Sequence, residues 1–276
     1  MNLSEISSVP AARYGVQEQN RVSDEIELAA ERVRRQGYCV FDGGFSEGEL
    51  AEIGEAFDRA QEAYVGEFGE SRLSLIDELN TIRAPLLRGE AWFVRLASWP
   101  RLLGLIAQLI AGRFILNQQN GIINPPGQRY NQGAWHRDLP YQHFVSSRPL
   151  AINALFCLDA FRSDNGATYV LPGSHQQEAF PSDEYLAREA VQVSAPAGSF
   201  LVLDAMSFHC GGVNLSERPR RAVNHVYAIP HIRQQIGFSE GLRSEADLSA
   251  EQRTLFGLGT EEPRTVAEFL QRRGGA

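Results

Sequence analysis

Apolar positions recur at helical spacing in the first third of the chain and give way to short strand-like runs after Gly112. In "SDEIELAAERVRRQ" (23–36), Ile26, Leu28, Ala29 and Val33 fall near a 3.6-residue period, and Gly37 follows as a C-terminal cap. "YCVFD" (38–42) reads as a short strand. "SEGE" (46–49) has the Ser-x-x-Glu form of a capping box, which opens a second helix running to about Tyr64. A third helix is predicted from near Pro100 to Ala111, with proline in the first turn, where no backbone N–H is needed. Residues 1–20 carry no such period and read as a loosely held tail.

The runs "FILNQQNGI" (114–122), "LAINALFCLDAF" (150–161), "ATYVLP" (167–172), "SFLVLDA" (199–205) and "RAVNHVYAI" (221–229) are rich in β-branched and aromatic residues and bounded by turn residues. "SDNGA" (163–167) contains Asn-Gly, a hairpin signal. "SAEQRTLFG" (249–257) and "TVAEFLQRR" (265–273) read as two closing helices. Helices followed by many short strands predict a mainly β fold with flanking helices, a sandwich or jelly roll whose core spans about 114–230. Such folds reach this length as one unit, so residues 1–276 are read as a single domain.

Composition narrows the function. The formal net charge is -8 and no dense Lys/Arg run occurs, so the counterion-releasing stripe of a nucleic-acid binder is missing. Cys39, Cys157 and Cys210 are odd in number and widely spread, which fits a reducing compartment better than a disulfide scaffold. The N-terminal stretch lacks the apolar segment of a signal peptide, and "RLLGLIAQLIAG" (101–112) is too short to span a bilayer. A cytoplasmic protein with no membrane partner is expected.

"AWHRDLPYQHF" (134–144) carries the first candidate chemistry. On extended backbone, residues two apart face the same way, so His136 and Asp138 point together while Arg137 points elsewhere. They make two legs of a 2-His-1-carboxylate triad, the set that holds non-haem Fe(II) and leaves positions open. Taken alone, the pair is equally the mark of a loop histidine bonded to a nearby acid. His209, at the end of the apolar run "SFLVLDAMSF", is the candidate third ligand. Eleven residues on, after a turn containing Gly211, Gly212, Asn214 and Pro219, Arg220 starts the next strand near His209. If the iron uses 2-oxoglutarate, the distal carboxylate of that diacid needs a planar, permanently charged partner such as Arg220.

At these residues the chain resembles the phytanoyl-CoA dioxygenase-like branch of the Fe(II)/2-oxoglutarate-dependent oxygenases. The likeness is carried in order by "GYCVFDGGFSEGELAEI" (37–53), "NPPG" (124–127), "WHRD" (135–138), "DNGATYVLPGSH" (164–175), "HCGGVNLSERPRRA" (209–222) and "LSAEQRTLFG" (248–257). It implies a double-stranded β-helix, a jelly roll of the cupin type, with iron at its mouth. It also implies His136, Asp138 and His209 as metal ligands, Arg220 as the cosubstrate anchor, and Fe(II), 2-oxoglutarate and O2 as reactants. Arg221 is expected on the opposite face, in a structural role. Some relatives have lysine where Asn124 stands, a contact asparagine does not reproduce; Gln118, Asn124 and Asn153 are the polar candidates for the cosubstrate. Related iron halogenases lack the carboxylate, so Asp138 points to oxygenation.

His175 is expected to fix its loop and His225 to face away from Arg220. Tyr141 and His143 are candidate substrate-lining residues, and the pocket walls are expected from residues 65–95 and the loop after His175. The resulting expectation is a hydroxylase of an unactivated C–H bond in a small, polar metabolite or natural-product intermediate, releasing succinate and CO2. The alternatives are an acyl-CoA-type hydroxylase of the same family, a non-catalytic cupin that binds a ligand, and a metal-dependent cupin isomerase or lyase.

Overall fold

The first periodic segment forms α1 (Glu25–Gln36) in the computed structural model, which describes residues 12–140, 143–242 and 247–274. Asp24 caps its N-terminus by accepting from the Glu27 amide, and Gly37 ends it with φ 86°. The Ser46/Glu49 capping box forms as read and opens α2 (Glu47–Phe68), one turn longer than expected. The helix at proline is α5 (Pro100–Leu109). Between them, α3 (Glu70–Leu75) and α4 (Ala91–Ala97) arise from a stretch with no readable period. Further along come α6 (Asp183–Glu189), α7 (Ser239–Leu242), α8 (Ala250–Leu255) and α9 (Val266–Gly274). No helix among the described residues is long and apolar enough to cross a membrane.

The strands are β1 (Tyr38–Asp42), β2 (Thr81–Arg83), β3 (Ile115–Asn124), β4 (Ala151–Cys157), β5 (Tyr169–Val170), β6 (Val191–Gln192), β7 (Ser199–Asp204), β8 (His209–Cys210) and β9 (Arg220–Ala228). They form an antiparallel six-stranded sheet, β1-β7-β4-β9-β3-β2, and a three-stranded sheet, β6-β5-β8. The larger sheet thus extends past the expected jelly-roll core, with β1 and β2 at its edges. "SDNGA" does not close a hairpin within one sheet: the chain passes there from β4 of the large sheet to β5 of the small one, and Asn165 bridges to Asn214.

The two-residue period of a strand divides the large sheet cleanly. One set (Ile152, Ala154, Phe156, Phe200, Val202, Val223, Tyr227) packs against α1, α2, α4 and α5 in the main core. The alternate set, which includes Leu155, Cys157, Leu201, Leu203 and Ala222, faces the small sheet. Arg220 and Asn224 belong to this second face by parity. Residues 65–95 serve the core through Leu73, Leu86, Trp92 and Phe93, and none of them lines the cleft at His136 and His209.

His225 lies on the helix-covered face. It is fully buried, its Nδ1 donates to the Ala154 carbonyl at 3.1 Å, and Nε2 has no partner. Burial pushes its pKa down to about 4. An unfolded histidine takes its proton near pH 6.5, so the contribution is intact above about 6.5 and is lost as the pH falls towards 4. The loss is on the order of 3 kcal/mol across that window. Urea unfolding at pH 7 and pH 4.5 is expected to show a smaller pH-dependent loss in His225→Gln than in the wild type; equal losses would contradict this assignment.

Candidate metal centre

His136 and His209 are distant in sequence and meet because their backbones pair. The His136 N–H donates to the His209 carbonyl at 3.0 Å and the His209 N–H to the His136 carbonyl at 3.1 Å, which adds the 136–138 segment beside β8. The Asp138 N–H donates to the Ala205 carbonyl at 3.0 Å, fixing the second residue of the pair. One ligand atom from each of His136, Asp138 and His209 lies within 4.8 Å of the others. The imidazole centroids are 4.4 Å apart, and His209 Nε2 is 3.9 Å from Asp138 Oδ2.

Hydrogen bonds behind the rings set their chemistry. His136 Nδ1 donates to the Ala134 carbonyl at 2.7 Å and His209 Nδ1 to the Ser207 carbonyl at 3.0 Å. A neutral imidazole that donates through Nδ1 keeps its lone pair on Nε2, the form that binds a metal. Burial, and secondarily the neighbouring His209, hold the His136 pKa below its ordinary value against the upward pull of Asp138. Asn153 on β4 donates Nδ2 to Asp138 Oδ2 at 2.8 Å and so orients the carboxylate. Arg137 points the other way, as its parity requires: Nε donates to the Met206 carbonyl at 2.7 Å and the guanidinium lies 3.9 Å over Phe208.

One cleft is lined by the two imidazoles together with Tyr130, Asn153, Arg220 and Asn224. Arg220 is 1% exposed, donates Nη2 to the Gly166 carbonyl at 2.9 Å and stacks 4.1 Å from the Phe161 ring. Its Nε has no partner, and no carboxylate among the described residues forms an ion pair with it. A buried guanidinium without an anion is costly, so this residue fits an anionic ligand bound in the cleft. Two imidazoles and one carboxylate, with lone pairs converging, equally fit a ferrous ion. The residues present therefore suit both groups that the sequence implied.

The other candidates fall in different places. Asn153 lines the cleft and gives one amide N–H to Asp138, which makes it a support for the metal ligand. Asn124 is withdrawn from the cleft. Its Nδ2 donates to the Gly212 carbonyl at 2.9 Å and the Gly166 carbonyl at 3.2 Å, leaving only an oxygen, which suits no carboxylate. Gln118 sits on the same face but opposite Val226, beyond the cleft, where it accepts from Asn120 at 3.4 Å. His143 is exposed, with Nδ1 facing the Glu178 carbonyl at 3.4 Å; Tyr141 lies outside the described residues. Arg221 takes the opposite face and pairs with Asp159 at 3.0 Å and Asp58 at 2.8 Å, and the His175 Nε2 meets the Arg34 carbonyl at 3.1 Å in its loop. Tyr130, Gln132, Thr168 and Asn224 line the cleft without being among the sequence candidates. Asn224 carried a legible signal, an even offset from Arg220 on one strand, whereas Tyr130 sits in a loop with no period.

The phytanoyl-CoA dioxygenase (PhyH) family model matches residues 33–222. The chain belongs to the phytanoyl-CoA dioxygenase family. It is thus an oxygenase, and the matched span contains the triad and Arg220. An uncharacterized protein of Mycobacterium tuberculosis is 33% identical over 261 residues, 92% of this chain and 93% of that protein. The dioxygenase af480 of Aspergillus fumigatus is 29% identical over 152 residues, 53% of this chain and 48% of that protein. EctD from S. alaskensis, solved with 2-oxoglutarate and 5-hydroxyectoine, gives a TM-score of 0.60 at 21% identity over 75% of this chain and 77% of that one. The epimerase SnoN, solved with Fe3+, alpha ketoglutarate and nogalamycin RO, gives 0.57 at 23% identity over 77% and 88%. At that identity these two likenesses establish the shared jelly-roll fold of this phytanoyl-CoA dioxygenase family member.

Proposed function

We propose that the chain is an Fe(II)- and 2-oxoglutarate-dependent dioxygenase. It hydroxylates an unactivated C–H bond of a small, polar metabolite or natural-product intermediate and releases succinate and CO2. The observation that carries this reading is three converging ligand atoms, two of them on imidazoles that line one cleft with a buried arginine lacking an acid partner. A non-catalytic cupin would leave the three converging ligand atoms unexplained, and a metal-dependent isomerase or lyase would leave the guanidinium without a diacid tail to grip.

His136, Asp138 and His209 would hold the iron, and Arg220 would hold the far carboxylate of 2-oxoglutarate. When bound, the iron and its cosubstrate supply the activation of dioxygen and the oxidising power. The protein's own part is positional. The carbonyls of Ala134 and Ser207 hold the imidazoles in the ligating tautomer, Asn153 holds the carboxylate, and burial keeps competing water from the guanidinium.

The polar-metabolite part of the reading draws support from the overall charge of -8, which does not suggest a basic entrance for the phosphates of a CoA thioester. It also draws on EctD and SnoN, which share the fold and were solved with small ligands. The test is succinate release from protein supplied with Fe(II), 2-oxoglutarate and O2, screened against polar metabolites and acyl-CoA thioesters. Stimulation by a polar metabolite is expected. Stimulation by thioesters alone would overturn the substrate class, and no succinate under any of these conditions would overturn the oxygenase reading.

A further inference from the structure

Tyr130 stands in the loop between β3 and the metal segment. Its ring is buried among Ile122, Cys157, Phe161, Ala167 and Ala222. Apolar packing accounts for that ring and leaves the hydroxyl unexplained, since phenylalanine would fill the same space without desolvating a polar group. The hydroxyl lies against Gly211, where a Cβ would overlap it, at the cleft that holds His136, His209 and Arg220. Arg220 is within hydrogen-bonding reach. Burial pushes the phenol above its ordinary range and Arg220 offsets only part of that, so the group stays protonated.

The donor inventory then becomes specific. The protonated phenol has one proton to give. A carboxylate accepts at two oxygens, about four positions in all, more than one guanidinium edge fills. Ala222, the next residue of β9 on the same face, offers no donor. Two neighbouring donors, one charged and one neutral, therefore face the same part of the cleft.

We infer that the Tyr130 hydroxyl is a second anchor for the distal carboxylate of the diacid cosubstrate, working beside Arg220 and placed there by the missing side chain of Gly211. This assignment rests on the cosubstrate reading above, and the experiment separates the two. Calorimetry on nickel-loaded protein compares 2-oxoglutarate with 2-oxobutyrate, which has the same chelating end and no distal carboxylate. Tyr130→Phe is expected to bind 2-oxoglutarate about 10-fold more weakly, as for one lost hydrogen bond to a charged group, while 2-oxobutyrate and nickel bind as in the wild type. Gly211→Ala, which displaces the hydroxyl without removing it, is expected to weaken 2-oxoglutarate in the same selective way. Unchanged 2-oxoglutarate affinity in Tyr130→Phe overturns the inference, as does an equal loss for both acids, which marks a disturbed metal site. A wild type that holds nickel yet takes up no 2-oxoglutarate overturns the cosubstrate reading itself, and this assignment with it.

Discussion

Asp138→Ala is expected to abolish substrate-dependent succinate release, by roughly 1000-fold or more, and to lose Fe(II) while remaining folded. Two imidazoles alone do not make the facial set, and the lost group is the one anionic ligand. The fold survives because Asp138 contributes no apolar packing: its segment is held by the backbone bonds at His136 and Ala205 and, from behind, by the Arg137 guanidinium on Phe208. The side chain left without its acceptor is Asn153, whose amide costs on the order of 1–3 kcal/mol when stranded in a buried site. Metal analysis, succinate assay and circular dichroism on one preparation decide it. A variant that keeps its iron and turns over is incompatible with the triad. His136→Ala and His209→Ala should behave alike.

Arg220→Leu is expected to leave iron uptake intact and to weaken 2-oxoglutarate binding by about 100-fold, the usual scale for removing one member of a buried charged contact. The stability response should be opposite in sign to that of a packing defect. In the unliganded protein Arg220 is a buried cation with one carbonyl partner and an unpartnered Nε, so replacing it with an apolar side chain removes a desolvation penalty. The melting temperature of unliganded Arg220→Leu should equal or exceed that of the wild type, while the rise produced by saturating 2-oxoglutarate should vanish. Arg220→Lys keeps the charge but loses the planar fork and the stack on Phe161, and should recover only part of the affinity. Unchanged cosubstrate affinity in Arg220→Leu would remove the residue from the site.

Parity along a strand made much of this site legible. That Arg137, Arg221 and His225 turn away from His136, Asp138 and Arg220 follows from a two-residue period, and all three do so. The helix caps at Ser46 and Gly37 were equally local and equally readable. What was not legible depended on distant partners. The place of Asn124 before "PPG" suggests a cosubstrate contact, but its amide is claimed by the carbonyls of Gly166 and Gly212, on turns far along the chain. Asn-Gly at 165–166 signals a hairpin, but local turn chemistry does not say which sheet the next strand joins. Residues 65–95 looked like a pocket wall for want of a period, and their apolar side chains went to the core under the large sheet. Nothing in the loop of Tyr130 announces its proximity to Arg220.

The central claim is that His136, Asp138 and His209 form one iron site that opens onto Arg220. Anaerobic titration of the metal-free protein with Fe(II), followed by 2-oxoglutarate, tests it most directly through the visible absorption spectrum. One equivalent of iron per chain is expected, with a charge-transfer band that grows on adding 2-oxoglutarate and is absent in Asp138→Ala. No iron uptake, or a band of equal strength in Asp138→Ala, would contradict it.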